Sequence, residues 1–167
     1  MPLTKPELIA SLQNEVRILL HLASKVDRAQ LDYRPTSTQR STLELLQYLS
    51  YMGPELIKYT KAGAFDAAAW TAAEEAARGR NFDETLAVIG AQPDEYARLL
   101  GDMRDEEFRE EVEMFGHRHS RGSIIVNIGL SGCAAYRTQL FCYLKACGRS
   151  ELSTYNLWAG MDAPAAV

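Results

Sequence analysis

The stretch IIVNIGLSGCAAYRTQLFCYLKACG, residues 124–148, combines a helical repeat with two interior glycines. Six of its residues recur every three or four positions, which is the period of an α-helix: Ile125, Ile128, Gly132, Ala135, Gln139 and Cys142. This pattern predicts a central helix of about seven turns. Gly129 and Gly132 each cost roughly 1 kcal/mol relative to alanine in a helix interior. We therefore expect either a closely packed neighbouring helix or a cavity beside them.

Three further segments have the helical period: residues 6–27, 42–60 and 82–101. The second follows Ser41 and Glu44, and the third follows Asn81 and Glu84. Both pairs have the three-residue spacing of a capping box, in which each side chain accepts a hydrogen bond from the other residue's backbone. These pairs predict where the two helices begin.

Two prolines and one long connection modify this pattern. Gly53-Pro54 is expected to kink the second helix, and Pro93 to kink or split the third, because proline removes a backbone donor. Residues 61–80 predict a short accessory helix capped by Asp66. A connection this long exceeds what an antiparallel hairpin needs, so it can cross the bundle and leave the second and third helices parallel.

The remaining segments are a connection and a tail. The acidic run at residues 103–114 predicts an extended or turn-rich connection into the central helix. The tail, residues 149–167, lacks a helical period, and we expect Leu157 and Trp158 to pack across one end of the bundle. Four long helices with two long connections predict a single all-α domain over residues 1–167, arranged as a four-helix bundle.

Composition excludes several classes of function. The 167 residues are 47% hydrophobic and 24% charged, with a net charge of -4, which fits one ordinary globular domain and disfavours nucleic acid as a partner. The first residues lack the apolar core of a secretory signal, and no apolar run predicts a membrane span. We expect a cytoplasmic protein. Cys133, Cys142 and Cys147 share one predicted helix with spacings unsuited to a disulfide, so we expect them reduced.

Three motifs resemble a known family in order and spacing. They are YRPTSTQRSTLELLQYL at residues 33–49, CAAYRTQLFCYLKACG at residues 133–148 and NLWAG at residues 156–160. Together they resemble the DinB/YfiT-like family of bacterial four-helix bundles. The resemblance implies an up-down-down-up bundle with a long crossover between helices 2 and 3, and a homodimer. It also implies a divalent metal such as Zn or Ni held by three histidines, and thiol-dependent transferases or isomerases that use mycothiol or bacillithiol.

The chain departs from this family at the metal ligands. The positions that match the three histidines are Gln47, Gly132 and Tyr136, while Arg137 and Gln139 retain the surrounding frame. A catalytic metal site needs about three converging donors. Glycine has no side chain, an amide is a weak donor to zinc, and a phenol rarely ionises near neutral pH. We therefore expect no metal cofactor at these positions.

Two interpretations of the former metal position compete. Gln47 and Tyr136 could hydrogen-bond across the space beside Gly132, since an unpartnered buried amide or phenol costs about 1 to 3 kcal/mol. Alternatively, a polar cleft between the second and fourth helices could hold a small molecule against Gln47, Gly132, Tyr136 and Arg137. Catalysis by Tyr136 is a less favoured third interpretation, and no catalytic residue is assigned.

His117 and His119 are the alternative metal ligands. Their spacing can chelate on an extended strand, but no third ligand is identifiable in the sequence. Solvent-exposed side chains are the favoured interpretation of the pair. An anion site with Arg118 and Arg121 at the start of the central helix is a further alternative.

The function that this sequence favours is a metal-free small-molecule-binding or interaction protein with a degenerate metal site. The alternative is a thiol-dependent transferase, or another transferase or hydrolase of the DinB superfamily, that has shifted its chemistry. A role in DNA damage would rest on the family name alone, and the acidic charge opposes it.

Overall fold

Helices dominate the computed structural model, which describes residues 3–164. The helical elements are α1 (Lys5–Ala23), a 3₁₀ turn (Arg28–Gln30), α2 (Thr42–Leu49), α3 (Met52–Ala62), α4 (Ala67–Arg78), α5 (Phe82–Gly101), α6 (Arg121–Ile124), a π-helical segment (Ile125–Leu130), α7 (Ser131–Ala146) and a π turn (Tyr155–Ala159). The strands are β1 (Glu111–Met114) and β2 (His117–Ser120). The mostly helical prediction is confirmed, and the two strands were not predicted.

Side-chain caps fix the starts of the helices. Thr4, Ser41 and Asn81 cap α1, α2 and α5, and each forms a full capping box with the glutamate three residues later. Asp66 caps α4 by accepting a hydrogen bond from the backbone N–H of Ala69. The caps predicted at Ser41, Asn81 and Asp66 are confirmed.

The second predicted helix is interrupted earlier than Gly53-Pro54. α2 ends at Leu49, where the Ser50 hydroxyl donates to the Gln47 carbonyl at 2.6 Å, and α3 begins at Met52. Pro54 then lies in the first turn of α3, where a backbone donor has no partner within the helix to lose. The proline therefore starts a new helix and does not kink a continuous one.

One other boundary differs from the prediction. α1 ends at Ala23 and not at residue 27, because the chain tightens into turns in which Val26 donates to the Ala23 carbonyl. The apolar period persists beyond Ala23 and does not indicate this end. α5 extends over Phe82–Gly101 as predicted, and of the two outcomes expected at Pro93, a kink or a split, the split is wrong.

The acidic connection forms an antiparallel hairpin. β1 pairs with β2 so that Val112 lies opposite His119, and the two strands are joined by Phe115 and Gly116. Both joining residues have left-handed backbone angles, with φ of 54° and 78°. A two-residue turn with this geometry matches the twist of the strands, which explains the glycine but is costly for a phenylalanine.

The helix predicted at residues 124–148 contains a π-helical segment, Ile125–Leu130, between α6 and α7. A π turn holds an extra residue, so the buried side of the helix changes after it. Ile125 is buried as the repeat predicts, but Ala135 and Cys142 are exposed. The buried residues of α7 are Arg137, Leu140, Tyr143 and Leu144.

The core lies where α1 packs on α5 and α7 and where α2 and α3 pack on α5. Its largest fully buried side chains are Leu12, Ile18, Leu22, Leu45, Leu46, Met52, Ile57, Ile89, Tyr96, Leu100, Ile125 and Leu140. The interior glycines lie against neighbouring side chains. A Cβ at Gly132 would contact the Met52 Cε at 3.5 Å, and one at Gly129 would contact Ile57 at 4.0 Å. Close packing, and not a cavity, accompanies both glycines.

Another glycine permits the closest approach between two helices. Tyr96 on α5 is fully buried, and a Cβ at Gly53 on α3 would lie 2.1 Å from its hydroxyl oxygen. That hydroxyl reaches the Cys133 sulfur at 4.0 Å, and burial raises the pKa of the Cys133 thiol to about 11. Gly53 is therefore required for α3, α5 and α7 to meet at Tyr96.

The tail is tied to α1 and α7 through its backbone. Arg17 donates to the carbonyls of Ala159 and Gly160, and Arg137 donates to the carbonyl of Leu157. Trp158 remains 70% exposed. Residues 165–167 of the predicted tail lie outside the described residues.

A polar cluster also holds the tail to α1. The Asn156 amide nitrogen lies 3.0 Å from His21 Nε2 and donates to Asp162 at 2.9 Å, and Lys25 pairs with Asp162 at 2.7 Å. Burial, with a smaller contribution from Lys25, lowers the pKa of His21, and Asp162 opposes this shift. The neutral imidazole can accept the hydrogen bond from Asn156, and the protonated imidazole cannot.

No helix within residues 3–164 combines the length and the apolar character needed to cross a membrane.

The first prediction concerns Gly53. G53A is expected to lower the free energy of unfolding by about 1 to 3 kcal/mol, because the new methyl group overlaps the Tyr96 hydroxyl. Urea denaturation measures the change. G90A is the matched control, because a Cβ there meets nothing within 4 Å and alanine favours the helix by up to about 1 kcal/mol. Y96F should recover part of the loss in the double variant. Equal stability of G53A and G90A would contradict the predicted overlap.

The second prediction concerns the pH dependence of stability. Because folding lowers the pKa of His21, its contribution is complete above the ordinary histidine pKa of about 6.5 and is lost as the pH falls through the lower folded value. The stability advantage of the wild type over H21Q should therefore shrink as the pH falls below about 6.5. H119Q, at an exposed position on β2, should follow the wild-type profile. Parallel profiles for wild type and H21Q in denaturant titrations at each pH would refute the assignment.

Candidate functional site

A polar cleft of about 530 Å³ opens between the residue 31–40 loop, α2 and the second half of α4. We call it the arginine cleft. Its lining residues are Arg34, Ser37, Thr38, Gln39, Arg40, Glu44, Gln47, Tyr48, Tyr51, Glu74, Ala77 and Arg78. The cleft contains Gln47 but not the other predicted site residues.

Backbone hydrogen bonds hold the loop that forms one wall. Thr42 donates to the Tyr33 carbonyl at 2.9 Å and Leu43 donates to the Leu31 carbonyl at 3.0 Å. At the end of the loop, the Tyr143 hydroxyl on α7 donates to the Arg40 carbonyl at 3.0 Å. Gln139 in turn donates to the Tyr143 hydroxyl at 2.6 Å. Tyr143 and Gln139 on α7 thus fix the backbone of Arg40.

The three arginines of the cleft have different partners. Arg34 pairs with Glu44 at 3.2 Å, and Arg78 pairs with Glu74 at 2.7 Å. Arg40 has no carboxylate within ion-pair distance among residues 3–164, and its guanidinium carbon lies 3.8 Å from the centre of the Tyr48 ring. A cation held over an aromatic face keeps its charge and leaves its N–H edge free to donate.

Tyrosine hydroxyls provide further donors. Burial, and then the neighbouring Tyr136, raise the pKa of Tyr48 well above its ordinary value. Burial also raises the pKa of Tyr51, with a smaller contribution from Glu74. Both hydroxyls are therefore protonated at neutral pH. The aromatic rings around these hydroxyls pack edge to face. The centre of the Tyr48 ring lies 4.9 Å from that of Tyr136 and 5.5 Å from that of Tyr51, and the centre of the Tyr51 ring lies 5.1 Å from that of Trp70.

Gln47 is 7% exposed, and its amide nitrogen is already engaged. It donates to the carbonyl of Arg80 at 2.8 Å and to that of Arg78 at 3.4 Å. The Arg78 carbonyl lies in the last turn of α4, where carbonyls lack helical partners, and the Arg80 carbonyl lies just beyond that helix. Gln47 therefore bonds to the backbone at the end of α4. One interpretation of the sequence had predicted a hydrogen bond to Tyr136 instead.

The other predicted site residues have separate surroundings. Met52 occupies the space beside Gly132, and Tyr136 packs edge-on against Tyr48. Arg137 is 4% exposed, and its Nε donates to Glu15 on α1 at 2.7 Å. Neighbouring positions on a helix point about 100° apart, which explains why Tyr136 and Arg137 face different partners.

The residues at the positions that the resemblance assigns to a metal do not fit a divalent ion. Gln47 offers only an amide oxygen, which is a weak ligand, Gly132 lacks a side chain, and the ring of Tyr136 packs on that of Tyr48. His117 and His119 are exposed on β2 with ring centres 6.1 Å apart. Within residues 3–164, no three His, Cys, Asp or Glu side chains are grouped as a set of metal ligands.

Sequence reasoning did not identify most of the arginine cleft. Arg40 lies just before the Ser41 cap, Tyr48 and Tyr51 are three residues apart after Gln47, and Glu74 and Arg78 have the i,i+4 spacing of a helix surface pair. Each signal is common on its own. They become a site only because the accessory helix packs against α2.

Comparisons with known proteins bear on the fold. The sequence matches no protein-family model and no curated protein. Among solved structures, a DinB-like protein from Bacillus subtilis, YjoA, aligns with a TM-score of 0.68 and 16% sequence identity, covering 89% of this chain and 96% of that chain. At this identity the likeness shows the fold alone. The chain has a DinB-like fold, as the sequence motifs predicted.

The third prediction tests the partner of Gln47. Q47L is expected to lower the free energy of unfolding by about 1 to 2 kcal/mol, because it leaves the Arg80 carbonyl without its partner. Since Gln47 does not bond to Tyr136, the effects of Q47L and Y136F should add to within about 0.5 kcal/mol. A double-mutant cycle in urea measures the coupling. A coupling energy above about 1 kcal/mol would restore the direct hydrogen bond between the two side chains.

Proposed function

We propose that this chain is a metal-free small-molecule-binding protein of DinB-like fold, and that the arginine cleft is its ligand site. A volume of about 530 Å³ lies within the range of small-molecule sites. One observation carries the proposal: the cleft combines Arg40, a cation without a carboxylate partner among residues 3–164, with the hydroxyl of Tyr51. A ligand can bind to these two groups without breaking an existing ion pair.

The proposed site is displaced from the one that the sequence suggested. Gln47 belongs to both, but the ligand would lie on the α4 side of α2, with Tyr136 behind Tyr48 and Arg137 bound to Glu15. We further propose that the metal site implied by the family resemblance is degenerate. The chemistry of the three side chains supports this, because an amide, a glycine and a phenol do not supply the three strong donors that such a site needs.

The architecture and assembly are part of the same proposal. We propose an up-down-down-up four-helix bundle made of α1, α2 with α3, α5, and the helix ending in α7, with α4 in the crossover between Ala62 and Phe82. We also propose a cytoplasmic homodimer. Its support is the exposure of Tyr155, Trp158 and Met161, at 48%, 70% and 53%, within one short segment of the tail.

A thiol-dependent transferase is the competing function. It requires a divalent metal at the positions of Gln47, Gly132 and Tyr136, whose side chains do not fit one. Binding without that chemistry needs only the groups that the arginine cleft presents.

Native mass spectrometry of protein purified without a metal-affinity tag tests these statements together, because one spectrum reports metal content and subunit number. We expect a dimer with less than about a tenth of an equivalent of zinc or nickel per chain, unchanged after titration with either metal. The same samples should gain thermal stability with some members of a small-molecule library, since ligands that bind only the folded state stabilise it.

A stoichiometric metal would overturn the proposed function. The Q47A variant and the pair H117A/H119A would then identify which position holds it. Absence of stabilisation by any compound would instead count against ligand binding while leaving the degenerate metal site intact. A monomer in the spectrum would contradict the proposed assembly alone.

A further inference from the structure

The charges of the arginine cleft restrict the ligand that it can hold, on the assumption of the proposed function. Glu44 pairs with Arg34 and Glu74 pairs with Arg78, so each of these carboxylates compensates one guanidinium. Arg40 is the cation that remains. The cleft is therefore locally positive by one charge in a chain whose net charge is -4.

The orientation of Arg40 matches a carboxylate. Its guanidinium lies on the Tyr48 ring at 3.8 Å, and its backbone is fixed by the hydrogen bond from Tyr143. A planar guanidinium that covers an aromatic face directs its N–H groups outward along its edge. Two parallel N–H groups fit the two oxygens of a carboxylate, and such charge-assisted pairs are roughly twice as strong as neutral hydrogen bonds.

Tyr51 provides a second donor. It lines the cleft and its side chain as a whole is 7% exposed. Within residues 3–164 its hydroxyl is not among the buried polar atoms that lack a partner, so it is open to the cleft. A hydroxyl at the wall of a cleft can donate to a ligand atom that enters it. It can donate to a carboxylate oxygen.

The remaining walls limit the charge and shape of the ligand. With Glu44 and Glu74 each paired to an arginine, the lining has one uncompensated positive charge, so a second negative charge on the ligand would have no partner, which disfavours dicarboxylates and phosphate dianions. The rings of Tyr48 and Tyr51 offer apolar surface to a planar group. We propose that the arginine cleft binds a small organic monocarboxylate with a planar apolar group, held by Arg40 and the Tyr51 hydroxyl.

The test is an NMR titration of the full chain with four related probes: benzoate, methyl benzoate, phthalate and phenyl phosphate. Benzoate should shift the amide signals of residues around the cleft in a saturable manner. The ester, the dicarboxylate and the phosphate should each bind at least about tenfold more weakly, because they lack the single carboxylate charge or add a second one.

Variants separate the two donors from a general effect of charge. R40Q should weaken benzoate binding about tenfold and Y51F about fivefold, since each removes one donor and leaves a side chain of similar size. R98Q is the control, because Arg98 lies on α5 outside the cleft with a 70% exposed side chain. It should bind benzoate like the wild type. If R40Q does not fold, Y51F and the comparison of acid with ester still decide the outcome.

The result that overturns the inference is specific. Equal binding of acid and ester, preference for phenyl phosphate or phthalate, or wild-type affinity in R40Q would each refute a monocarboxylate held by Arg40. Binding of methyl benzoate in the cleft would leave the proposed small-molecule function standing. If no probe of any charge shifts the signals of the cleft, both the ligand class and the proposed site are refuted.

Discussion

The hydrogen bonds from the Gln47 amide to the end of α4 hold the accessory helix against α2, and the arginine cleft depends on this contact. Ala77 is the only residue of α4 that is fully buried, and the Trp70 ring, packed against Tyr51, is another contact that holds this wall. The same bonds engage the amide nitrogen of Gln47, the one residue of the site predicted from the sequence that also lines the cleft.

Arg137 and Gln139 on α7 stabilise the fold from two directions. Arg137 and Glu15 form an ion pair that is almost fully buried, and Arg137 also holds the tail through the Leu157 carbonyl. Breaking such a pair leaves a buried charge and costs several kcal/mol. Gln139, two residues later, supports Arg40 through the Tyr143 hydroxyl. Arg137 and Gln139 therefore both have structural partners in the fold.

The sequence predicted features that depend on local chemistry. The capping residues Ser41, Asp66 and Asn81 act on backbone groups three residues away, so their spacing alone identified the helix starts. The DinB-like fold was predicted from motifs spread along the chain. The break at Ser50 was not predicted, and the continuity of α5 through Pro93 was only one of two expected outcomes. Whether a proline interrupts a helix depends on the packing around it, which the sequence pattern does not report.

The functional residues were harder to predict for a related reason. Gln47 was identified through the family resemblance, but its partner lies more than thirty residues away in the chain. The i,i+4 spacing of Glu74 and Arg78 indicates one pair, but Arg34 lies ten residues from its partner Glu44, so the sequence does not show whether Arg34 or Arg40 is paired. Residue type and period cannot supply that information, since it arises when separate segments pack together.

The π-helical segment Ile125–Leu130 has a consequence for comparing this chain with others of its fold. A π turn accommodates one more residue than an α turn over nearly the same axial length, so it separates two registers within one continuous helix. Counting from the hairpin and counting from Leu140 then assign positions that differ by one residue, or about 100° around the axis. Equivalent residues of two such helices must therefore be assigned by superposing the structures. A sequence alignment that ignores the extra residue pairs a side chain that faces α1 with one that faces α2.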